Sequence, residues 1–296
     1  MDRHQQYLAQ SGVDLHEVDG VWWQNYKRVL LPAYLPHLVP DISPRSAKRA
    51  LGSSSALMAR WTSQFDTDDA SKWWFVLRDG DYGRSELSSN TRSKISRGRR
   101  RLSVGLIGAE EVLAHGYAVC RAAVRSYGRA EFLPSEADFS RRIEASAIFD
   151  GAVDYFGVYN EAGLVAFSEN LIQDDAVFLE SIWYDPVGLR DYSSYVLIDA
   201  VLDEYLVRRK YKYVSDGSRS IYHETGVHDF LIEKFGFRRA SAKMHLCYSP
   251  RMSAAISIAR PFGSLIGRAS IVNRFAGARR VAALLLQDSL SSSWFS

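Results

Sequence analysis

Three strand-like runs separated by very short turns constrain the fold more than any other feature. They are VDYFGVY (153–159), LVAFSENL (164–171) and AVFLESIW (176–183), parted only by Asn160-Glu161-Ala162-Gly163 and Gln173-Asp174-Asp175. Connections this short join antiparallel neighbours, because a parallel crossover needs a dozen or more residues. An antiparallel meander is therefore predicted. Ahead of it stand a strand over LSVGLI (102–107), a helical pattern over 109–127 and a second helix opened by Pro134-Ser135-Glu136. After it, Pro186 and Gly188 break the chain before a mostly apolar helix over 192–209, with Asp199 and Asp203 as its polar edge. A strand (211–216), a short amphipathic helix ended by Gly236 and a last strand (238–248) follow. This order predicts an α/β (α+β) chain with a mixed, mostly antiparallel sheet flanked by helices.

The flanks read differently. Residues 1–72 carry prolines at 32, 36, 40 and 44 and are expected to form short helices and irregular connections, packed on the core by Trp22, Trp23, Tyr26 and Trp61. WWFVLR (73–78) is strand-like and opens the core region, 73–250. Residues 251–296 form a basic appendage, with a helix expected over 278–288. At 47% apolar and 12% aromatic residues, the chain can bury a substantial core. Two cysteines, Cys120 and Cys247, make no disulfide framework, and the first residues lack a signal-peptide pattern, so a reducing, cytoplasmic setting is expected. No apolar run reaches the ~20 residues that span a bilayer.

The formal charge of +3 is unevenly spread. Residues 84–101 hold seven basic side chains against Glu86 alone, and 251–296 hold six arginines against Asp288. Concentrated charge of this kind favours anionic partners. The run Arg92–Arg101 is a candidate contact for phosphate, tRNA or a lipid head group, against the plainer reading of a solvated helix face. The C-terminal segment mixes arginine with apolar residues and is a candidate for peripheral membrane contact.

Candidate chemistry gathers in two places. Asp216, Ser218, Arg219, Tyr222, His223 and Glu224 lie between a strand and a helix, where open α/β sheets bind ligands. His223 is a candidate base, Tyr222 a candidate acid and Asp216 a further catalytic candidate, while a turn plus a helix cap would explain the same residues structurally. A metal site is not expected, because His223 and His228 are five positions apart and fall on different helix faces. Glu180, in the third meander run, alternates with Phe178 and Ile182 and is expected to share their face. A carboxylate there either lines a cleft as a base of raised pKa or pairs with an arginine. Glu169 is the weaker candidate. Gly-x-Ser-x-Gly, the P-loop and Gly-x-Gly-x-x-Gly are all missing from the sequence.

The element order over about 100–250, with the ending Phe235-Gly236-Phe237-Arg238, resembles the GCN5-related N-acetyltransferase (GNAT) superfamily. The stretch LSSNTRSKISRGRRRLSV, with Arg92 and Ile95, is similar to the N-terminal signature of the Fem-type aminoacyltransferases of peptidoglycan bridges. The resemblance implies a GNAT-like acyltransferase core and an acyl-CoA donor. It places Glu180 as base, Ile182 and Trp183 beside the thioester, and Arg190, Ser193, Ser194 and Arg219 around the donor. The loop that cradles a CoA pyrophosphate in that superfamily reads Tyr184-Asp185-Pro186-Val187-Gly188-Leu189-Arg190-Asp191-Tyr192-Ser193-Ser194 here, with one glycine and a capping-type Asp191. Three functions stay open: acyl transfer from a thioester to an amine, on a small molecule or on a cell-surface sugar or its precursor; Fem-type transfer from aminoacyl-tRNA; and a non-catalytic binding module.

Overall fold

A computed structural model describes residues 1–69, 71–128, 130–219, 226–260, 276–291 and 293–295. Its contacts group the chain into two compact units. The first holds Met1–Gly12, Val76–Gly217 and Val227–Arg238, and the second holds Val13–Phe75, Ser218–Gly226 and Arg239–Ser296.

The second unit begins with β1 (Leu15–Val18), β2 (Val21–Tyr26), β3 (Val29–Pro32), α2 (Pro44–Gly52) and β4 (Met58–Ser63). The sheet runs β1-β2-β3-β4 and continues into β11 (Arg238–Tyr248), with β3 and β4 parallel and the other pairs antiparallel. A region expected to be irregular is thus largely sheet. The prolines stand at strand ends and helix starts: Pro32 closes β3, and Pro44 opens α2 behind the Ser43 cap. Trp23 and Trp61 meet edge to face at 6.4 Å in a core shared with Leu30, Leu51 and Cys247. The expected C-terminal helix spans Ala276–Leu290, where Gln287 accepts from Arg60 at 2.9 Å. Among the described residues no helix is long and apolar enough to cross a membrane.

In the first unit α1 (Arg3–Gln10) comes first. β5 (Trp73–Asp79) crosses the division, and α3 (Ser89–Arg99) follows behind its Ser88 cap. β6 (Ser103–Ile107) leads into α4 (Ala109–Glu111), which passes through a π-helical turn at Val112–Gly116 into α5 (Tyr117–Tyr127). α6 (Glu136–Ile148) starts at the Ser135 cap. The meander is β7 (Val153–Asn160), β8 (Gly163–Gln173) and β9 (Ala176–Tyr184), antiparallel as the turn lengths require. α7 (Pro186–Arg190) and α8 (Ser193–Leu202) precede β10 (Tyr213–Ser218) and α9 (Val227–Phe235). The strand order is β6-β7-β8-β9-β10, and only β9 and β10 run parallel. α8 lies over β6, β7 and β8 on one face. On the other, Phe139 of α6 meets Phe167 of β8 at 6.4 Å, and Tyr7 of α1 reaches Glu169 at 3.1 Å. The expected mixed sheet flanked by helices is what forms.

α8 departs from expectation at Asp199. The predicted polar edge is fully buried. Its carboxylate accepts from Tyr82 Oη at 2.9 Å, Arg84 Nε at 2.7 Å and Arg99 Nη2 at 2.7 Å. A buried carboxylate persists only when charge and hydrogen bonds compensate its lost hydration. Two guanidinium groups and a phenol do so here, tying the segment 82–99 to α8. Asp199→Ala would take the anion from Arg84 and Arg99, both partly exposed, and leave the buried Tyr82 hydroxyl without its acceptor, so urea unfolding is expected to report a loss of about 1–3 kcal/mol.

Candidate functional site

β8 and β9 pair out of step at one point. Ser181 opposes Glu169, yet Leu179 opposes Asn170, so Glu180 is an inserted residue facing no partner. The insertion reverses the alternation beyond it. Phe178 opposes Leu171 and Ile182 opposes Ser168, and positions 168 and 171 point to opposite faces of β8. The face that Glu180 was expected to share with Phe178 and Ile182 therefore does not exist, because the period of two is broken at the bulge.

The bulge coincides with the end of another ladder. β10 pairs with β9 at Tyr213–Ala176, Val214–Val177 and Ser215–Phe178, and among the described residues that pairing goes no further. Leu179–Tyr184 of β9 and Asp216–Gly217 of β10 continue unpaired with each other, opening a wedge. Gly217 shapes its apex. Its φ is +86°, and an added Cβ would lie 2.8 Å from Phe178 Cε2.

Glu180 is exposed by surface area, while the protein around its carboxyl is as dense as around an interior group. Both observations fit a carboxyl at the floor of an open cleft. Desolvation chiefly, and then the charge of Glu169, push its pKa up to about 7, with Arg142 acting the other way. Glu169, fully buried, accepts from Tyr7 Oη at 3.1 Å and Ser181 Oγ at 3.3 Å, and Arg142 Nε lies 3.0 Å away. Cys120 packs in the same neighbourhood, its thiol raised to about 12 mainly by burial. Sequence reasoning ranked Glu169 low and missed Arg142 and Tyr7, whose approach comes from α6 and α1.

At the end of β10, Asp216 Oδ2 lies 3.3 Å from His228 Nε2. Burial raises the Asp216 carboxyl, opposed by the bond and charge of His228. For His228 burial acts downward, but the bond and charge of Asp216 carry its pKa above the usual value. Tyr184 is held far above the normal phenol range by burial and then by the charge of Asp216. His228, which the sequence reading weighed only as a metal ligand, is thus the histidine beside Asp216. Tyr222, His223 and Glu224 lie outside the described residues. Arg219 belongs to the second unit, where its guanidinium donates to the Lys72 carbonyl at 3.0 Å.

The remaining predicted residues surround the start of α8. Ile182 and Trp183 are half-buried in β9 beyond the bulge, and Arg190 ends α7, exposed. Asp185, not Asp191, acts as a helix cap, accepting from Val187 N at 2.7 Å ahead of α7. α8 instead follows Tyr192, which stands at its cap position in left-handed conformation (φ 67°) and makes no side-chain cap. Ser193 is fully buried with its hydroxyl unpartnered, and Ser194 is half-buried. Asp191 pairs with Arg101 at 2.5 Å, which cancels the negative charge that the sequence set against a phosphate.

No protein-family model matches the chain, and no curated protein matches it. Solved structures do. FemX superposes with a TM-score of 0.58 at 9% identity, over 81% of this chain and 89% of that one. The C-terminal domain of a putative lysylphosphatidylglycerol synthetase from Agrobacterium fabrum gives 0.56 at 11% identity, over 87% and 90%. L-PGS from Bacillus licheniformis gives 0.50 at 12% identity, over 96% of both chains. At these identities the likeness is one of fold.

Two outcomes follow. Gly217→Ala adds strain and a clash with Phe178, and is expected to lower the unfolding free energy by about 1–3 kcal/mol in a denaturant titration. Glu180 holds its proton more tightly when folded than the 4.5 of a free side chain, so its contribution to stability declines as pH rises from there through about 7. Glu180→Gln removes that decline. Its melting temperature relative to wild type should be higher at pH 8 than at pH 4, and a pH-independent difference would contradict the placement of this carboxyl.

Proposed function

We propose that this chain is an acyltransferase that moves an acyl group from an activated donor to an amine, with Glu180 as the general base. The observation that carries the reading is the coincidence of the β9 bulge at Glu180, a carboxyl of raised pKa, with the end of β9–β10 pairing. The fold likeness to FemX and to the lysylphosphatidylglycerol synthetase domain supports acyl transfer over other chemistries of a mixed sheet.

The donor in this reading is an acyl-CoA thioester lying in the wedge. Backbone N–H groups of β9 beyond Phe178, which have no β10 partner, are the donors suited to its carbonyl oxygen. The amine nitrogen attacks the carbonyl carbon and gives its proton to Glu180. As the tetrahedral intermediate collapses, the C–N bond is kept, the C–S bond breaks, and the thiolate leaves to be protonated by solvent. A base near pKa 7 is well matched to neutral pH. Acceptors in keeping with the sequence reading are small amines or amino sugars, including a cell-surface sugar or its precursor.

A second reading, transfer of an aminoacyl ester from tRNA, is favoured by the likeness to FemX together with the basic residues of α3. It uses the same wedge and base, with the 3′-hydroxyl of the tRNA as leaving group.

Thiol release from acetyl-CoA, measured against a panel of amino sugars and diamines, tests the first reading. Glu180→Gln is expected to lower the rate by roughly 10²–10⁴-fold. The wild-type rate should rise with pH to a plateau above about 7, as Glu180 loses its proton. Glu169→Gln deletes a charge that raises Glu180, so the rising limb should move to lower pH. A Glu180→Gln enzyme as fast as wild type would end the proposal. Transfer of labelled amino acids from charged tRNA, without thiol release, would select the second reading.

A further inference from the structure

α1 opens the chain, yet what it touches lies in α6 and β8. At eight residues it is too short to persist alone in water, where isolated helices below about 12–15 residues are marginal. Its hold on the first unit is therefore what forms it. Asp2 caps it and also accepts from Gln173 Nε2 at 2.7 Å, and Arg3 Nη1 donates to the Asp150 carbonyl at 2.9 Å. His4, Gln5, Tyr7 and Leu8 are buried. Tyr7 stands apart among them. It is 1% exposed, and its hydroxyl donates to Glu169 Oε1 at 3.1 Å. Phenylalanine would fill the same volume without the cost of dehydrating a hydroxyl against a carboxylate. The consequence of the hydroxyl therefore lies at Glu169.

Glu169 divides its two oxygens between α1 and β9. Oε1 takes the Tyr7 bond and lies 3.0 Å from Arg142 Nε, while Oε2 accepts from Ser181 Oγ at 3.3 Å. Ser181 is the neighbour of the inserted Glu180 and opposes Glu169 across the ladder. One carboxylate thus links the first helix to the segment that carries the proposed base. Arg142 already supplies the charge that Glu169 needs in the interior, so the neutral phenol adds direction rather than neutralisation. Direction matters because the groups around Glu180 act on it electrostatically. The Glu169 charge raises its proton affinity and the Arg142 charge lowers it, while Arg142 is itself held charged by Glu169, with Tyr7, Glu180 and Tyr155 about it. Cys120 is a further titratable group packed against Glu169 and Arg142. Charge–charge energies in a poorly hydrated setting change steeply with separation. A glutamate free to turn about its side-chain torsions would blur that field, and donors from two elements on its two oxygens hold it in place.

We infer that Tyr7 is a positioning residue for Glu180, acting through Glu169 and Ser181, so that α1 belongs to the machinery of the candidate site. Its part in catalysis rests on the acyltransfer reading of Glu180. The coupling between the two side chains does not, since it follows from the contacts alone. The helix at the head of the chain then serves the base as well as the packing.

Glu180 can be followed without turnover, because the melting temperature of a chain relative to its Glu180→Gln counterpart changes with pH as Glu180 loses its proton. The midpoint of that change is expected at about 7 in the wild type. Tyr7→Phe keeps the ring and removes only the hydroxyl. A loosened Glu169 then holds its charge less closely to Glu180 and admits water, and both effects lower the midpoint, by about one pH unit. Ser181→Ala should move it the same way. In a Glu169→Gln chain, which lacks the intermediary, Tyr7→Phe should add no further shift. Tyr155→Phe is the matched control. That phenol is also buried and lies opposite Glu169 on β7, but it bonds Ser146 Oγ at 2.9 Å, so its loss should lower stability and leave the midpoint in place. In thiol release from acetyl-CoA, Tyr7→Phe should lower kcat about tenfold with the acceptor KM unchanged, and carry the rising limb down by the same pH interval. A midpoint that moves in a chain that transfers nothing would overturn the acyltransfer reading and leave the coupling standing. A midpoint unmoved by Tyr7→Phe, an equal shift in Tyr155→Phe, or a full Tyr7→Phe shift in the Glu169→Gln chain would overturn the inference.

Discussion

A single extra residue in β9 governs what the first unit can do. Without it, β9 would keep its period of two and Glu180 would point into one packed face or the other. With it, the strand turns over at Glu180 and the two sides of the bulge present opposite faces to β8. The ladder to β10 stops at Phe178, one turnover before the bulge residue. A bulge increases local twist and bends its strand, and a strand bent away from one neighbour cannot keep pairing with it. The end of the β9–β10 ladder and the unpartnered position of Glu180 are therefore two consequences of one insertion. The raised pKa of Glu180 then needs no special device. A carboxyl among dense protein, with the Glu169 carboxylate nearby, is pushed upward by desolvation and like charge.

Behind that carboxyl the structure spends polar contacts on rigidity. Glu169 is locked by Tyr7, Ser181 and the nearby Arg142, drawn from α1, β9 and α6. On the opposite face Asp199 gathers Tyr82, Arg84 and Arg99. Each buried carboxylate fastens sequence-distant segments to the sheet or to α8. Their partners are costly to remove singly, because the survivor is left charged and desolvated.

Much of this fold was legible in the sequence where local chemistry decides. Short turns between 153 and 183 dictated the meander, Ser135 announced α6, and Gly236 closed α9 before the last strand. Legibility failed where tertiary contact overrides pattern. The N-terminal strands were hidden by prolines that proved to punctuate a sheet. Asp199 looked like a polar edge, because its partners lie about a hundred residues away in sequence. Glu180 was found by residue type, but its setting was misread, since an insertion in a strand leaves no compositional mark. His228 escaped notice as a partner for Asp216, because twelve residues separate them and only the return of α9 onto β10 brings them together.

The basic run divides its side chains between two sides of α3. Arg99 and Arg101 are two positions apart on or just beyond α3, which on a helix sends their side chains to different sides. Arg99 turns toward the middle of α8 and finds Asp199, while Arg97, Arg100 and Arg101 share the other side at spacings of three and four. Fixing Arg99 therefore fixes the rotation of α3, and with it the direction in which those arginines point. Gly98, between them, sets the distance, since any side chain there would drive α3 away from Val196 and the start of α8. The Arg99–Asp199 pair between α3 and α8, with Gly98 beside it, thus positions a cationic surface near the start of α8.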